Sequence, residues 1–134
     1  MITDDYVNFE IAKLLKERGF NEPCYAIWYD DRIVLLAHLI DNDSLLLTDE
    51  YKFSIQKESL ITIPTHQMAC AWLREIHHTF IEIGTSIDLN GNYHFSYTIL
   101  NKECKYVRRG YTDFDWHYED AVEAAIKYCL ENLI

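Results

Sequence analysis

Glycine is scarce, standing only at positions 19, 84, 91 and 110. Neither a phosphate-cradling P-loop nor a dinucleotide-binding glycine fingerprint fits that distribution, so the commonest nucleotide enzymes are excluded. Cys24, Cys70, Cys104 and Cys129 are dozens of residues apart and form no CxxC pair. A zinc ribbon and a thioredoxin-type motif are thereby excluded, and the four read as free buried thiols. No apolar run reaches the ~20 residues that a membrane-spanning helix needs. The start Met1-Ile2-Thr3-Asp4-Asp5 lacks the basic-then-apolar pattern of a secretion signal. The expectation is a cytoplasmic chain without membrane contact. Basic residues are outnumbered, 12 against 22 acids, for a net charge of −10. A field of that sign repels a polyanion, which argues against nucleic acid as a partner.

What is present suits a packed domain. Hydrophobic residues make up 49% of the 134 positions with only two prolines, unlike disordered chains. A chain of this length supports a core without metal or disulfide. We expect a single α+β domain over 1–134 that needs no cofactor. Thr3 is the predicted cap of a first helix, with Asp4 and Asp5 at its positive end and Val7, Ile11, Leu14 and Leu15 on one stripe. Gly19 ends that helix, with Phe20 folding back onto Leu15. Cys24 to Tyr29 and Ile33 to Ile40 read as a hairpin turning at Asp30-Asp31-Arg32. Asp41 to Ser44 is a further turn, Leu45-Leu46-Leu47 starts a strand, and 48–59 reads as loop or short strand.

Pro64 and Thr65 announce a second helix, His66 to His77, with Met68, Ala69, Trp72, Leu73 and Ile76 facing the core. Strands are predicted at Thr79 to Thr85 and Tyr93 to Leu100 around Asn90-Gly91, a strong hairpin signal. Lys105 to Arg109 reads as a further edge strand. Asp115 is the expected cap of a last helix ending near Asn132, with Val122, Ala125, Ile126, Cys129 and Leu133 buried. The order α-β-β-α-β-β-(β)-α implies a layer of helices on a mainly antiparallel sheet.

Residues capable of chemistry are few. His66 and Cys70, four apart on one helix face, are weak candidates for metal ligation or catalysis. His77 lies eleven residues beyond His66, about 16 Å along a helix axis at ~1.5 Å per residue, too far to share one ion. The pairs Asp113 with Asp115 and Glu119 with Glu123 are better explained by helix capping and solvation than by acid–base work. Six acids stand against Arg32 alone between Asp30 and Glu50, and five stand unopposed between Asp113 and Glu123. By contrast, Lys102, Lys105, Arg108 and Arg109 face only Glu103 across 102–109. Such alternating charge on an edge strand discourages edge-to-edge pairing. Ten tyrosines and three tryptophans supply amphipathic surface of the kind enriched at interfaces. Tyr51, Tyr111 and Trp116, lying off the core stripes, together with Arg108 and Arg109, form the candidate interaction set.

Two stretches carry a likeness: Ile63-Pro64-Thr65-His66-Gln67-Met68-Ala69-Cys70-Ala71-Trp72-Leu73-Arg74-Glu75, and Tyr118-Glu119-Asp120-Ala121-Val122-Glu123-Ala124-Ala125-Ile126-Lys127-Tyr128-Cys129-Leu130-Glu131-Asn132-Leu133-Ile134. With the N-terminal helix, about half of the chain resembles a family of small uncharacterised proteins from Bacteroides-group gut bacteria and their phages. The resemblance implies a phage, prophage or mobile-element setting and carries over no site. The leading expectation is a non-enzymatic accessory protein that binds a protein partner or itself. One alternative is an acidic decoy that imitates nucleic acid to block a defence protein. Another is a small hydrolase or metal-dependent enzyme using His66, Cys70 or His77.

Overall fold

The computed structural model describes residues 6–24, 26–29, 32–35, 61–111 and 117–134. Its elements are α1 (Phe9–Glu17), β1 (Ala26–Tyr29), β2 (Arg32–Leu35), β3 (Ile61–Ile63), α2 (His66–His77), β4 (Phe80–Ile87), β5 (Tyr93–Leu100), β6 (Tyr106–Tyr111) and α3 (Tyr118–Asn132). The class is α+β as expected, with every strand pairing antiparallel, and β3 is a short strand that the sequence pattern does not announce. Outside the described residues lie the proposed Thr3 cap with its acids, the turn at Asp41, the strand at Leu45 and the loop 48–59. So do Tyr51, Asp113, Asp115, Trp116 and the side chain of Tyr111. The chain divides into two compact units, Val7–Pro64 and Met1–Tyr6 with Thr65–Ile134.

In the unit Val7–Pro64 the first helix starts later than a Thr3 cap requires. Asn8 has extended backbone and its Oδ1 accepts the Ile11 amide at 2.9 Å, which fixes the first turn at Phe9. Val7, assigned to the helical stripe from sequence, is buried just before the cap, and its amide donates to the Pro64 carbonyl at 3.1 Å. The end is as expected. Gly19 adopts φ +94°, the Gly19 amide bonds Lys16 and the Phe20 amide bonds Leu15 at 2.9 Å, completing a Schellman motif over a buried Phe20. Strand β1 is central in the order β2-β1-β3, and Arg32, expected in the turn, belongs to β2 opposite Tyr29. Helix α1 packs on β3, and Ile11, Leu15, Ile27 and Ile63 fill the space between.

The second unit is α2, a three-stranded meander and α3. Thr65 caps α2 as expected, its Oγ1 accepting the Met68 amide at 3.1 Å. Ala69, Trp72 and Leu73 are buried, but Ile76 is exposed. Helical phase assigns Ile76 to the core side; depth is set by what reaches the helix end, and α2 stops at left-handed His78. The meander order is β4-β5-β6. Asp88 organises the β4–β5 loop: its carbonyl accepts the Gly91 amide and its Oδ1 accepts the amides of Asn90 and Asn92 at 2.8 and 2.9 Å. Gly91 at φ +81° supplies the left-handed residue that this hairpin needs, so the Asn-Gly signal was sound.

Helix α3 is capped by His117 and not by Asp115, because the Asp120 carboxylate reaches back to the His117 amide at 2.7 Å. Ala121, Val122, Ala125, Ile126, Cys129 and Leu130 are its buried face. Leu133 falls past the last turn and is exposed, and Leu130 takes the core place expected for it. All four cysteines are free; Cys24 and Cys129 are buried as expected, Cys70 is only half-buried, and Cys104 is exposed in the β5–β6 turn at φ +57°.

Candidate binding cleft

Three antiparallel strands return the chain to the end where it began, so α2 and α3 run parallel across one face of the meander. Their first turns open on one cleft, lined by Thr65, His66 and Gln67 with Tyr118 and Glu119. Their far ends meet at another, lined by His77 and His78 with Leu133. The sheet register identifies the covered face. Ile81 pairs with Ile99, Ile83 with Tyr97, Thr85 with Phe95 and Ile87 with Tyr93. Alternate residues of a strand share a face. Two contacts to α3 mark this one as the helix side: Phe95 meets Tyr118 edge-on with ring centroids 6.0 Å apart, and the Arg108 guanidinium lies 4.9 Å from the Tyr128 ring centre.

The first cleft has a volume of about 590 Å³, with Ile81 and Ile83 as floor and Cys70 and Val122 on its walls. The helices end short of the hairpin, so the same sheet face emerges beyond them. Tyr118 at the rim is 51% exposed, and Ile87 and Tyr93, directly opposite each other, are each 61% exposed. A floor of isoleucine continuing into exposed tyrosine and isoleucine is an amphipathic surface that excludes water from whatever covers it. Among the described residues no lysine or arginine lines the cleft.

The candidate chemical residues are placed as follows. His66 and Cys70 do line one cleft, and His66 Nε2 is 3.0 Å from Glu123 Oε1, a partner on α3 that sequence spacing did not supply. The pair ties the two helices together near their first turns. Burial pushes the Cys70 thiol up to about 11, with the Arg74 charge acting in the other direction, which disfavours the thiolate that a nucleophile or metal ligand needs. Among the described residues no group of three His, Cys, Asp or Glu is arranged to hold a metal ion. His77 stands in the other cleft, edge-on to Trp72 with centroids 4.5 Å apart and its buried Nε2 without a hydrogen-bond partner. The three candidates of the enzyme reading are therefore split between the two ends of the helix pair.

Of the interaction set, Arg108 is committed to Tyr128, and Arg109 lies on the opposite face of β6, at the register position of Thr98. Sequence reasoning missed Ile83, Ile87, Tyr93 and Tyr118. Their signal was apolar residues flanking a hairpin loop and at the first position of a helix, where polar residues usually stand. No protein-family model matches the chain, and no curated protein or solved structure matches it either. Among the described residues no helix is long and apolar enough to cross a membrane.

Proposed function

We propose that the chain is a non-enzymatic, cytoplasmic accessory protein of a phage or other mobile element, and that it works by binding another protein through the cleft between the first turns of α2 and α3. One observation carries the reading: past the floor of Ile81 and Ile83 the same sheet face continues through Thr85 and Phe95, which Tyr118 meets, to an exposed Ile87–Tyr93 pair. Isolated apolar residues on a surface are ordinary; a contiguous strip leading out of a cleft with an aromatic rim is the usual form of a recognition site. The disfavoured Cys70 thiolate and the use of His66 to tie α2 to α3 support binding over covalent catalysis.

The test compares wild type with Tyr118→Ala by co-purification from the native host, with mass-spectrometric identification of what is retained. The reading expects a protein held by wild type and lost by the variant, with circular dichroism unchanged. The same proteins on both, or none on either, would overturn it. A sedimentation mass above 15.9 kDa that falls to the monomer value with Tyr118→Ala makes the partner a second copy.

A further inference from the structure

We infer that Asn90 is a site of spontaneous modification: its side-chain amide is lost as ammonia to attack by the backbone nitrogen of Gly91, at a rate that Asp88 of the same turn restrains. The inference stands on the chemistry of the β4–β5 loop and does not depend on the protein-binding reading.

An asparagine loses its amide when the backbone nitrogen of the next residue attacks its Cγ. That nitrogen gives up its proton to solvent base, the new N–C bond closes a five-membered imide, and the side-chain nitrogen leaves as ammonia. Water then opens the ring. Opening at the side-chain carbonyl gives aspartate; opening at the main-chain carbonyl gives isoaspartate, in which the chain runs through the former side chain. Access to the attacking nitrogen limits the first step, and a side chain on the following residue shields it. Asn90-Gly91 is the one Asn-Gly pair in the sequence, since Asn8, Asn21, Asn42, Asn92, Asn101 and Asn132 all precede residues that carry a side chain. Both members of the pair are exposed, so base and water reach them. Nothing lies within 4 Å of the place that a Gly91 Cβ would take, which leaves the approach clear.

The same turn restrains the reaction. The Gly91 amide, which must attack, donates to the Asp88 carbonyl at 3.1 Å. On either side of it the Asn90 and Asn92 amides donate to Asp88 Oδ1 at 2.8 and 2.9 Å. Asp88 Oδ2 is in turn 3.0 Å from His94 Nε2, which ties the carboxylate to β5. Bringing the Gly91 nitrogen onto Asn90 Cγ requires rotation about the Asn90 main chain, and that rotation opens these bonds. Losing one backbone hydrogen bond corresponds to roughly a tenfold drop in the reactive population, so the folded chain converts more slowly than the unfolded one. The product does not fit the turn. Isoaspartate adds one atom to the main chain between Leu89 and Gly91 and sets a second carboxylate close to that of Asp88. The pairing of Ile87 with Tyr93 at the mouth of the loop loosens as a result.

The test incubates the full chain in mildly alkaline buffer, with and without urea, and follows each asparagine by peptide mass spectrometry, with isoaspartate detected by enzymatic methylation. We expect the mass gain of an amide becoming an acid at Asn90 before any other asparagine, with isoaspartate among the products. The folded rate should be about tenfold below the rate in urea, and Asp88→Ala should raise it toward the urea value. Asn90→Gln, which would have to close a larger ring, should keep its mass with circular dichroism unchanged. In the converted fraction the amide signals of Ile87 and Tyr93 should move. Earlier conversion at another asparagine, or none in the folded chain by the time the urea sample is complete, overturns the site. Equal rates with and without urea, or a folded rate indifferent to Asp88→Ala, overturn the restraint, and unmoved Ile87 and Tyr93 signals overturn the structural consequence.

Discussion

The two outer strands of the meander, β4 and β6, pair with the same central strand yet present opposite chemistry. Strand β6 carries Arg108 and Arg109 with Lys102 and Lys105 in the turn before it, and Arg108 is stacked on Tyr128 of α3. Strand β4 has no basic residue, ends in four exposed residues and borders an apolar cleft. Cationic side chains on an edge discourage further pairing, so of the two outer strands β6 carries that guard and β4 does not.

The largest expected effect removes the support common to both edges. Ile99 is fully buried on β5, between Ile81 and Arg108. Ile99→Ala should cost about 2–5 kcal/mol in chemical denaturation and abolish the contrast. Gly110→Ala acts first on the pairing of β6 with β5. Tyr97 lies across Gly110, and an added methyl would overlap its ring, so a loss of about 1–3 kcal/mol is expected. Hydrogen exchange should quicken in β6 more than in β4. Equal quickening in both would show that the edges are not independent.

Tyr118→Ala should lower stability by no more than about 1.5 kcal/mol, the scale of the lost ring contact with Phe95, while removing partner binding. The smallest effect concerns the hairpin that ends β4. Asp88 is held down to about 2, chiefly by its bond to His94 and then by the Asn92 amide. A carboxyl lowered on folding contributes stability that is fully present above its ordinary value near 4 and is lost as pH falls through about 2. Amide shifts of Asn90 and Asn92 should therefore titrate with a midpoint at about 2 while those in β6 stay unchanged, and Asp88→Asn should remove that step.

Local signals in the sequence were mostly legible. Thr65 before His66, Gly19 after Arg18, and Asn90-Gly91 each encode a bond pattern within a few residues, and the structure contains all three. Boundaries set by competition between nearby caps were not, as Asn8 and His117 show. Helical phase located the buried stripes but not their depth, so Ile76 and Leu133 were misplaced at helix ends. The cleft was the least legible part. It depends on α2 and α3 running parallel after three strands, which brings residues 66 and 123 together across the meander. No spacing within a single helix contains that information. Tyr118 and the Ile87–Tyr93 pair stand out only once the sheet face is known to extend past the helices.

The central claim is that the partner binds on the β4 side of the meander and not on β6. Hydrogen exchange of the full chain, alone and with the retained partner bound, tests it most directly. The account predicts new protection over Phe80–Ile87 with Tyr106–Tyr111 unchanged; protection at β6 with β4 unchanged would contradict it.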